Sequence, residues 1–171
     1  MDKPKLFLAT DHAGFEQKNS LRDYLTEHDS HGYEVIDMGA FTHDESDDYP
    51  DIIARAARMV SQNPDRDRAV VLGGSGQGEA IVANKFNRVR ATVYYGGSES
   101  IIDLAREHNN TNVLSIGARF VREQDMISAV EKWLIIPFSQ DPRHVRRLGL
   151  IDTIETKRFW QRFINLVRPG N

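Results

Sequence analysis

Chemistry concentrates first at a carboxylate that closes a glycine-dense turn. Gly73-Gly74-Ser75-Gly76-Gln77-Gly78-Glu79 runs from the apolar Ala69–Leu72 into a helical-looking Ala80-Ile81-Val82-Ala83-Asn84-Lys85. Glycines at Gly73, Gly74, Gly76 and Gly78 let the backbone approach a ligand closely and turn several N–H groups toward one point. The following helix adds the positive potential of its start. Such a turn suits negative charge, yet it is no familiar nucleotide loop. No Gly-Lys-Ser/Thr closes it, and Glu79 stands where the third glycine of Gly-x-Gly-x-x-Gly belongs. Beside a phosphate, a carboxylate repels. Beside a sugar carbon it accepts a proton, and nearby N–H groups stabilise the oxyanion that forms. The competing reading is ordinary: glutamates are favourable at helix starts, and glycine-rich turns can be purely structural.

Three further groups carry reactive types. Asp11-His12 follows the apolar run Leu6–Thr10, where Asp11 can cap the next helix or handle protons, and His12 can bind a ligand or sit in solvent. His108 stands beside Asn109 and Asn110 with the same ambiguity. Arg143, His144, Arg146 and Arg147 form the one dense cation cluster, which reads either as a solvated helix face or as a phosphate clamp that Arg119 completes. Metal binding is not expected: no histidine pair has i,i+4 spacing, and cysteine is absent.

The elements that must position these groups are legible as alternation. Short apolar runs rich in β-branched residues recur at Leu6–Thr10, Tyr33–Asp37, Ala69–Leu72, Ala91–Tyr94 and Val113–Ile116, as strands buried on both faces of a parallel sheet do. Between them lie helical stripes, Ile52, Ile53, Ala56, Ala57 and Val60 in one, Met126, Ile127, Val130, Trp133 and Leu134 in another. An α/β sheet with right-handed crossovers follows, and ligands of such sheets bind beyond the carboxyl ends of the strands. The 171 residues suit one domain over 1–150, with a helical extension over 151–171. Its stripe Ile151, Ile154, Trp160, Phe163, Ile164, Val167 needs a surface to cover, on its own domain or on a partner subunit. A net charge of −3 gives no general pull toward nucleic acid. With no signal-like start and no run of about 18 apolar residues, a cytoplasmic protein away from membranes is expected.

Taken in order, Thr10-Asp11-His12-Ala13-Gly14, the turn Gly73–Glu79, Ala83-Asn84-Lys85, Arg106-Glu107-His108-Asn109-Asn110 and Arg143-His144-x-x-Arg147 resemble the ribose-5-phosphate isomerase B family, which also contains galactose-6-phosphate isomerase subunits. The resemblance covers roughly residues 5 to 150. It implies a Rossmann-like three-layer αβα sandwich with a five-stranded parallel sheet, and a homodimer or homotetramer with no metal or nucleotide cofactor. It also implies interconversion of ribose 5-phosphate and ribulose 5-phosphate through a cis-enediolate, in the pentose phosphate pathway. Many members use a cysteine early in the glycine loop, at a position matching Gly73 or Gly74 here. A second branch, resembling the mycobacterial enzymes, carries Gly-Gly-Ser-Gly-x-Gly-Glu, and its glutamate base matches Glu79.

By the same resemblance Asp11 and His108 open the furanose ring, Ser75 assists proton movement between O1 and O2, and the amides from Gly74 through Gly76 to Gly78 form the anion hole. Asn109 and Tyr49 line the sugar site. His12, Arg119, Arg143 and Arg147 hold the phosphate, the last two from a neighbouring subunit. Departures are confined to 28–31, 63–68 and the terminal 158–171, which bear on subunit contacts more than chemistry. Two alternatives remain: the same chemistry on a tetrose 4-phosphate, allose 6-phosphate or galactose 6-phosphate, or a non-catalytic flavodoxin-like or receiver module. Receivers need an aspartate closing the third strand and a lysine closing the fifth, where this chain has Gly73-Gly74 and Gly117.

Overall fold

The computed structural model describes residues 2–28 and 32–167, the last ten by main-chain path alone. Five strands, β1 (Lys5–Thr10), β2 (Glu34–Asp37), β3 (Arg68–Gly73), β4 (Ala91–Tyr94) and β5 (Val113–Gly117), form one sheet in the order β2-β1-β3-β5-β4. Every pairing is parallel, with Thr10 opposite Leu72 and Gly73 opposite Gly117. Helices α1 (Phe15–Glu27), α2 (Tyr49–Gln62), α3 (Gln77–Ala83), α4 (Ser100–Asn109) and α5 (Glu123–Ile135) make the crossovers, and α6 (Pro142–Val167) closes the chain.

Alternation along the strands builds two cores. Leu6, Leu8, Val70, Leu72, Leu114 and Ile116 face Leu21, Ile102 and Trp133 of α1, α4 and α5. Phe7, Ala9, Ala69, Val71 and Val113 face Ile53, Ala56, Val60 and Ala83 of α2 and α3. This is the period of two expected of a sheet covered on both sides, and it yields the three-layer sandwich. The central strands β1, β3 and β5 are buried as anticipated, but β2 and β4 are mostly half-buried. The reason is position: each is an edge strand with a single neighbour.

Helix α1 has no clean apolar stripe because an ion replaces one of its core residues. Lys18 is fully buried, and its Nζ donates to both oxygens of Asp37, at 2.7 and 2.6 Å, and to the Ala40 carbonyl at 2.9 Å. A paired, fully hydrogen-bonded charge is tolerated inside a protein, whereas removing one partner is costly. This node ties α1 to the end of β2 and to the segment leading into α2.

Helix α6 runs unbroken through residue 150, where the composition placed the start of an extension. Its Leu150, Ile151 and Ile154 are exposed in the single chain. The side chains of Trp160, Phe163, Ile164 and Val167 lie outside the described residues, as do residues 29–31 and 168–171. Among the described residues no helix is long and apolar enough to cross a membrane.

Between β1 and β3 the connections diverge, β1 leading to β2 on one side while β3, β5 and β4 lie on the other. That divergence opens a crevice at their carboxyl ends. Gly14 lets the chain leave β1 across it: an added Cβ would meet Thr10 Oγ1 at 2.5 Å and Leu72 Cβ at 2.7 Å. Gly14→Ala is therefore expected to destabilise the fold by about 1–3 kcal/mol through overpacking. Urea unfolding checks this; an unchanged midpoint would show that the turn relaxes without cost.

Candidate active site

The glycine turn is stitched into the sheet by its carbonyls. Gly73 O accepts from the Ala118 N–H at 2.8 Å and Gly74 O from the Arg119 N–H at 3.2 Å. Gly76 O accepts from Ser115 Oγ at 2.6 Å and from the Ala80 N–H at 3.2 Å. On the β1 side, Thr10 Oγ1 donates to Leu72 O at 3.1 Å. Gly76 has φ of 74°, and an added Cβ there would lie 2.9 Å from the Ile116 main chain, so both conformation and space demand glycine.

The other three glycines each make room for a different side chain. A Cβ on Gly73 would overlap the Glu79 carboxylate; one on Gly74 would press on the Arg119 guanidinium at 3.3 Å; one on Gly78 would meet the Tyr49 ring at 2.8 Å. The turn is thus the floor of a cleft of about 460 Å³, walled by Asp11, His12 and Ala13 on one side and by Tyr49, Arg119 and Phe120 on the others, with Ser75 at its rim.

Glu79 is 4% exposed. Burial pushes its carboxyl above the ordinary glutamate value, its own main-chain N–H pulls the other way, and the nearby Asp11 charge adds to the upward push. The N–H donation favours the ionised form, as a helix start does, but desolvation outweighs it. Glu79 is consequently a stronger base than a solvated glutamate.

Asp11 performs its bland role and remains available. Its Oδ1 caps the first turn by accepting from the Ala13 N–H at 3.0 Å, and the residue is 8% exposed in the cleft wall. His12 is held by a residue that the sequence reading passed over, Asp47, whose Oδ1 lies 2.8 Å from His12 Nδ1. That hydrogen bond raises the His12 pKa above its usual value, against the opposing effect of burial. Arg119 is exposed and makes no ion pair among the described residues. Asp11, His12 and Asp47 offer ligand atoms within 4.8 Å of one another, but His12 Nδ1 and one Asp47 oxygen are already engaged with each other.

A second group gathers elsewhere. His108 and Asn109 end α4, immediately before β5, so they lie at the amino ends of the strands, while Arg119 follows the carboxyl end. A five-residue strand separates the two edges by roughly 13 Å. The first turns of α6 join this second edge: the ring centroids of His108 and His144 are 4.1 Å apart, and His144 Nδ1 lies 2.9 Å from Ser139 Oγ. Arg143 and Arg147 are exposed, with the Arg143 guanidinium 3.4 Å from Asp141. Within one chain, then, Asp11 does not meet His108, and Asn109, Arg143 and Arg147 do not reach the cleft.

Two of the sequence motifs turn out to hold the scaffold. Asn84 bridges the Ala91 N–H and C=O at 2.8 and 3.1 Å, pinning β4. Arg106, buried against Trp133, donates to Ile136 O and Asn110 Oδ1 and fixes the turn that carries His108. Besides Asp47, Phe120 was missed; it is a large side chain 65% exposed at the cleft mouth. Nothing in its local sequence sets it apart, whereas Asp47 had one signal, its place two residues ahead of Tyr49.

Known proteins share the sequence pattern and the fold. Residues 6–151 match the family described as Ribose/Galactose Isomerase. The chain is 38% identical over 151 residues to ribose-5-phosphate isomerase B of Mycolicibacterium paratuberculosis, covering 88% of this chain and 91% of that protein. It is 34% identical to the Escherichia coli ribose-5-phosphate isomerase B, covering 90% and 98% of the two chains. It superposes with a TM-score of 0.83 on the Mycoplasma genitalium ribose-5-phosphate isomerase B with bound ribulose-5-phosphate, at 34% identity over 89% of this chain and 96% of that one.

The electrostatics of Glu79 can be read directly. An NMR titration of side-chain carboxyls should place one glutamate above the ordinary range, and Glu79→Gln should remove that resonance. A Glu79 that titrates at or below the usual value would mean that burial does not outweigh the main-chain N–H donation.

Proposed function

The chain belongs to the ribose/galactose isomerase family, and on that premise we propose how its cleft isomerises D-ribose 5-phosphate and D-ribulose 5-phosphate. The observation that carries the reading is the Glu79 carboxylate, buried against Gly73 on the floor of a glycine turn at the carboxyl ends of β1 and β3. Proton abstraction from a sugar carbon needs a base in place and the developing oxyanion stabilised as the proton leaves. Burial supplies the first by raising the proton affinity of Glu79. For the second, the carbonyls of Gly73, Gly74 and Gly76 are bonded into the scaffold and the Gln77 N–H donates to Ser75 Oγ at 3.4 Å, while the amides of Gly74, Gly76 and Gly78 are offered to a ligand.

In this account Glu79 takes the C2 proton of the opened aldose and returns it to C1 of the cis-enediolate, giving the ketose with no net change in atoms or electrons. Ser75, at the rim, assists the proton exchange between O1 and O2. Asp11 acts at the ring-opening step, Tyr49 lines the sugar, and His12 and Arg119 receive the phosphate. The remaining partners stand at the opposite edge of the sheet, so we propose that a homodimer, alone or within a homotetramer, completes each site. His108 of the partner subunit shares ring opening with Asp11, Asn109 of the partner subunit binds sugar hydroxyls, and Arg143 and Arg147 of the partner subunit close on the phosphate. The uncovered Leu150, Ile151 and Ile154 of α6 support such an assembly. No metal or nucleotide is needed for any step.

A cleft of about 460 Å³ accommodates a five-carbon phosphate and does not by its size reject a six-carbon one. A panel of four-, five- and six-carbon aldose phosphates compared by kcat/KM settles the preference, with ribose 5-phosphate expected to lead. Glu79→Gln should retain substrate affinity and lose about 10²–10⁴ in kcat; near-normal kcat removes Glu79 from the base role. Arg143→Ala and Arg147→Ala should each raise KM by about tenfold or more with smaller changes in kcat, as lost charged hydrogen bonds to phosphate do. Unchanged KM in both would refute the clamp.

A further inference from the structure

Asp47 has a structural setting that none of the roles above explains. It lies between β2 and α2 in the run Asp44-Glu45-Ser46-Asp47-Asp48, whose other members are exposed. Asp47 turns inward, its side chain only 12% exposed. The turn that carries it is fixed by Asp44, whose Oδ1 accepts from the Ser46 N–H at 2.9 Å and from Ser46 Oγ at 2.6 Å, and whose carbonyl accepts from the Asp47 N–H at 3.1 Å. From there one oxygen of Asp47 grips His12 twice. Oδ1 accepts from the His12 main-chain N–H at 3.2 Å and lies 2.8 Å from Nδ1 of its ring. Oδ2 is buried and has no hydrogen-bond partner among the described residues.

Each of these facts bears on the ring. With Nδ1 engaged, Nε2 is the nitrogen left for a ligand. A neutral imidazole donating Nδ1–H to Asp47 would present a bare lone pair at Nε2, which repels a phosphate oxygen; an imidazolium presents a donor. A buried carboxylate oxygen without a hydrogen bond is a costly arrangement, and a full positive charge beside it offsets that cost better than a neutral ring.

We propose that Asp47 is a positioning residue for phosphate recognition, fixing His12 by ring and main chain so that Nε2–H is aimed at the substrate phosphate as a cationic donor. The proposal rests on the sugar-phosphate reading of the cleft. The charged and titratable groups facing His12 are consistent with it: Asp47 and Asp11 favour the cation, Asp44 interacts with it across the turn, Arg119 opposes it, and the His43 ring stands edge-on at 6.3 Å. The Asp47 hydrogen bond is the largest of the influences that raise the His12 pKa.

Asp47→Asn keeps the volume and the accepting oxygen, so His12 stays tethered, but deletes the charge. Its KM for ribose 5-phosphate should rise by about tenfold near pH 7.5, with kcat within about twofold of the parent. The gap should narrow toward pH 6, where His12 protonates without help; the sign follows from a raised pKa, whose cation is lost as pH rises through it. Asp47→Glu should restore part of the affinity. By NMR, His12 should titrate lower in Asp47→Asn than in the parent, and inorganic phosphate should perturb its ring resonances less. A KM unchanged at every pH, a His12 titration that does not move, or equal losses of kcat and affinity at all pH values with a lowered melting temperature would each overturn the proposal. If the parent protein fails to isomerise ribose 5-phosphate, the function reading fails, while the His12 titration and the phosphate response still decide the role of Asp47.

Discussion

All strands of a parallel sheet point the same way, and that constraint divides the functional groups of this chain between two edges. Loops that follow strands collect at the carboxyl edge, which is where Asp11, His12, the glycine turn, Glu79 and Arg119 lie. Helices returning to begin the next strand end at the opposite edge, which is where α4 delivers His108 and Asn109 and where α6 brings Arg143 and Arg147 beside them. No rotamer change bridges a strand's length. The division follows from topology, and the proposed homodimer would close it.

At the carboxyl edge the design is one of reserved space. Three glycines are each overlain by a functional side chain, Glu79, Arg119 and Tyr49 respectively, so the turn must be bare of Cβ atoms for reasons of contact as well as conformation. The carbonyls of Gly73, Gly74 and Gly76 are bonded to Ala118, Arg119, Ser115 and Ala80, which makes the turn rigid from its carbonyl side. Rigidity of this kind matters because donors arranged before the reaction need no reorganisation when charge appears. Two groups in the cleft are shifted by their surroundings: burial raises the proton affinity of Glu79, and the Asp47 hydrogen bond raises that of His12.

Much of this was legible before any coordinates. Strands announced themselves as β-branched runs, and α2 and α5 as apolar stripes, because those elements bury apolar faces in the two cores. Helix α1 was not visible in that way, since Lys18 and Asp37 occupy a core position that a hydrophobic pattern cannot report. Glu79 stood out by residue type in an unusual place, but its raised proton affinity depends on how tightly the tertiary structure excludes water. Asp47 was hidden among neighbouring acids that are solvated, and only the folded turn shows which one faces inward. The separation of His108 from Asp11 was available in principle. A residue just ahead of the fifth strand must sit at its amino end, although the family resemblance paired it with Asp11 in ring opening.

The shared site is tested most directly by complementation. Glu79→Gln damages the carboxyl-edge half of a site and His108→Ala the other half, so each homodimer should be nearly inactive on ribose 5-phosphate. When the two variants are co-produced, half of the dimers are mixed and each mixed dimer contains one site built from two intact halves. Activity should therefore recover to about a quarter of the parent value. If native mass spectrometry shows mixed dimers and activity stays at the level of the single variants, or if the parent is fully active as a monomer, each site is built within one chain and the account is wrong.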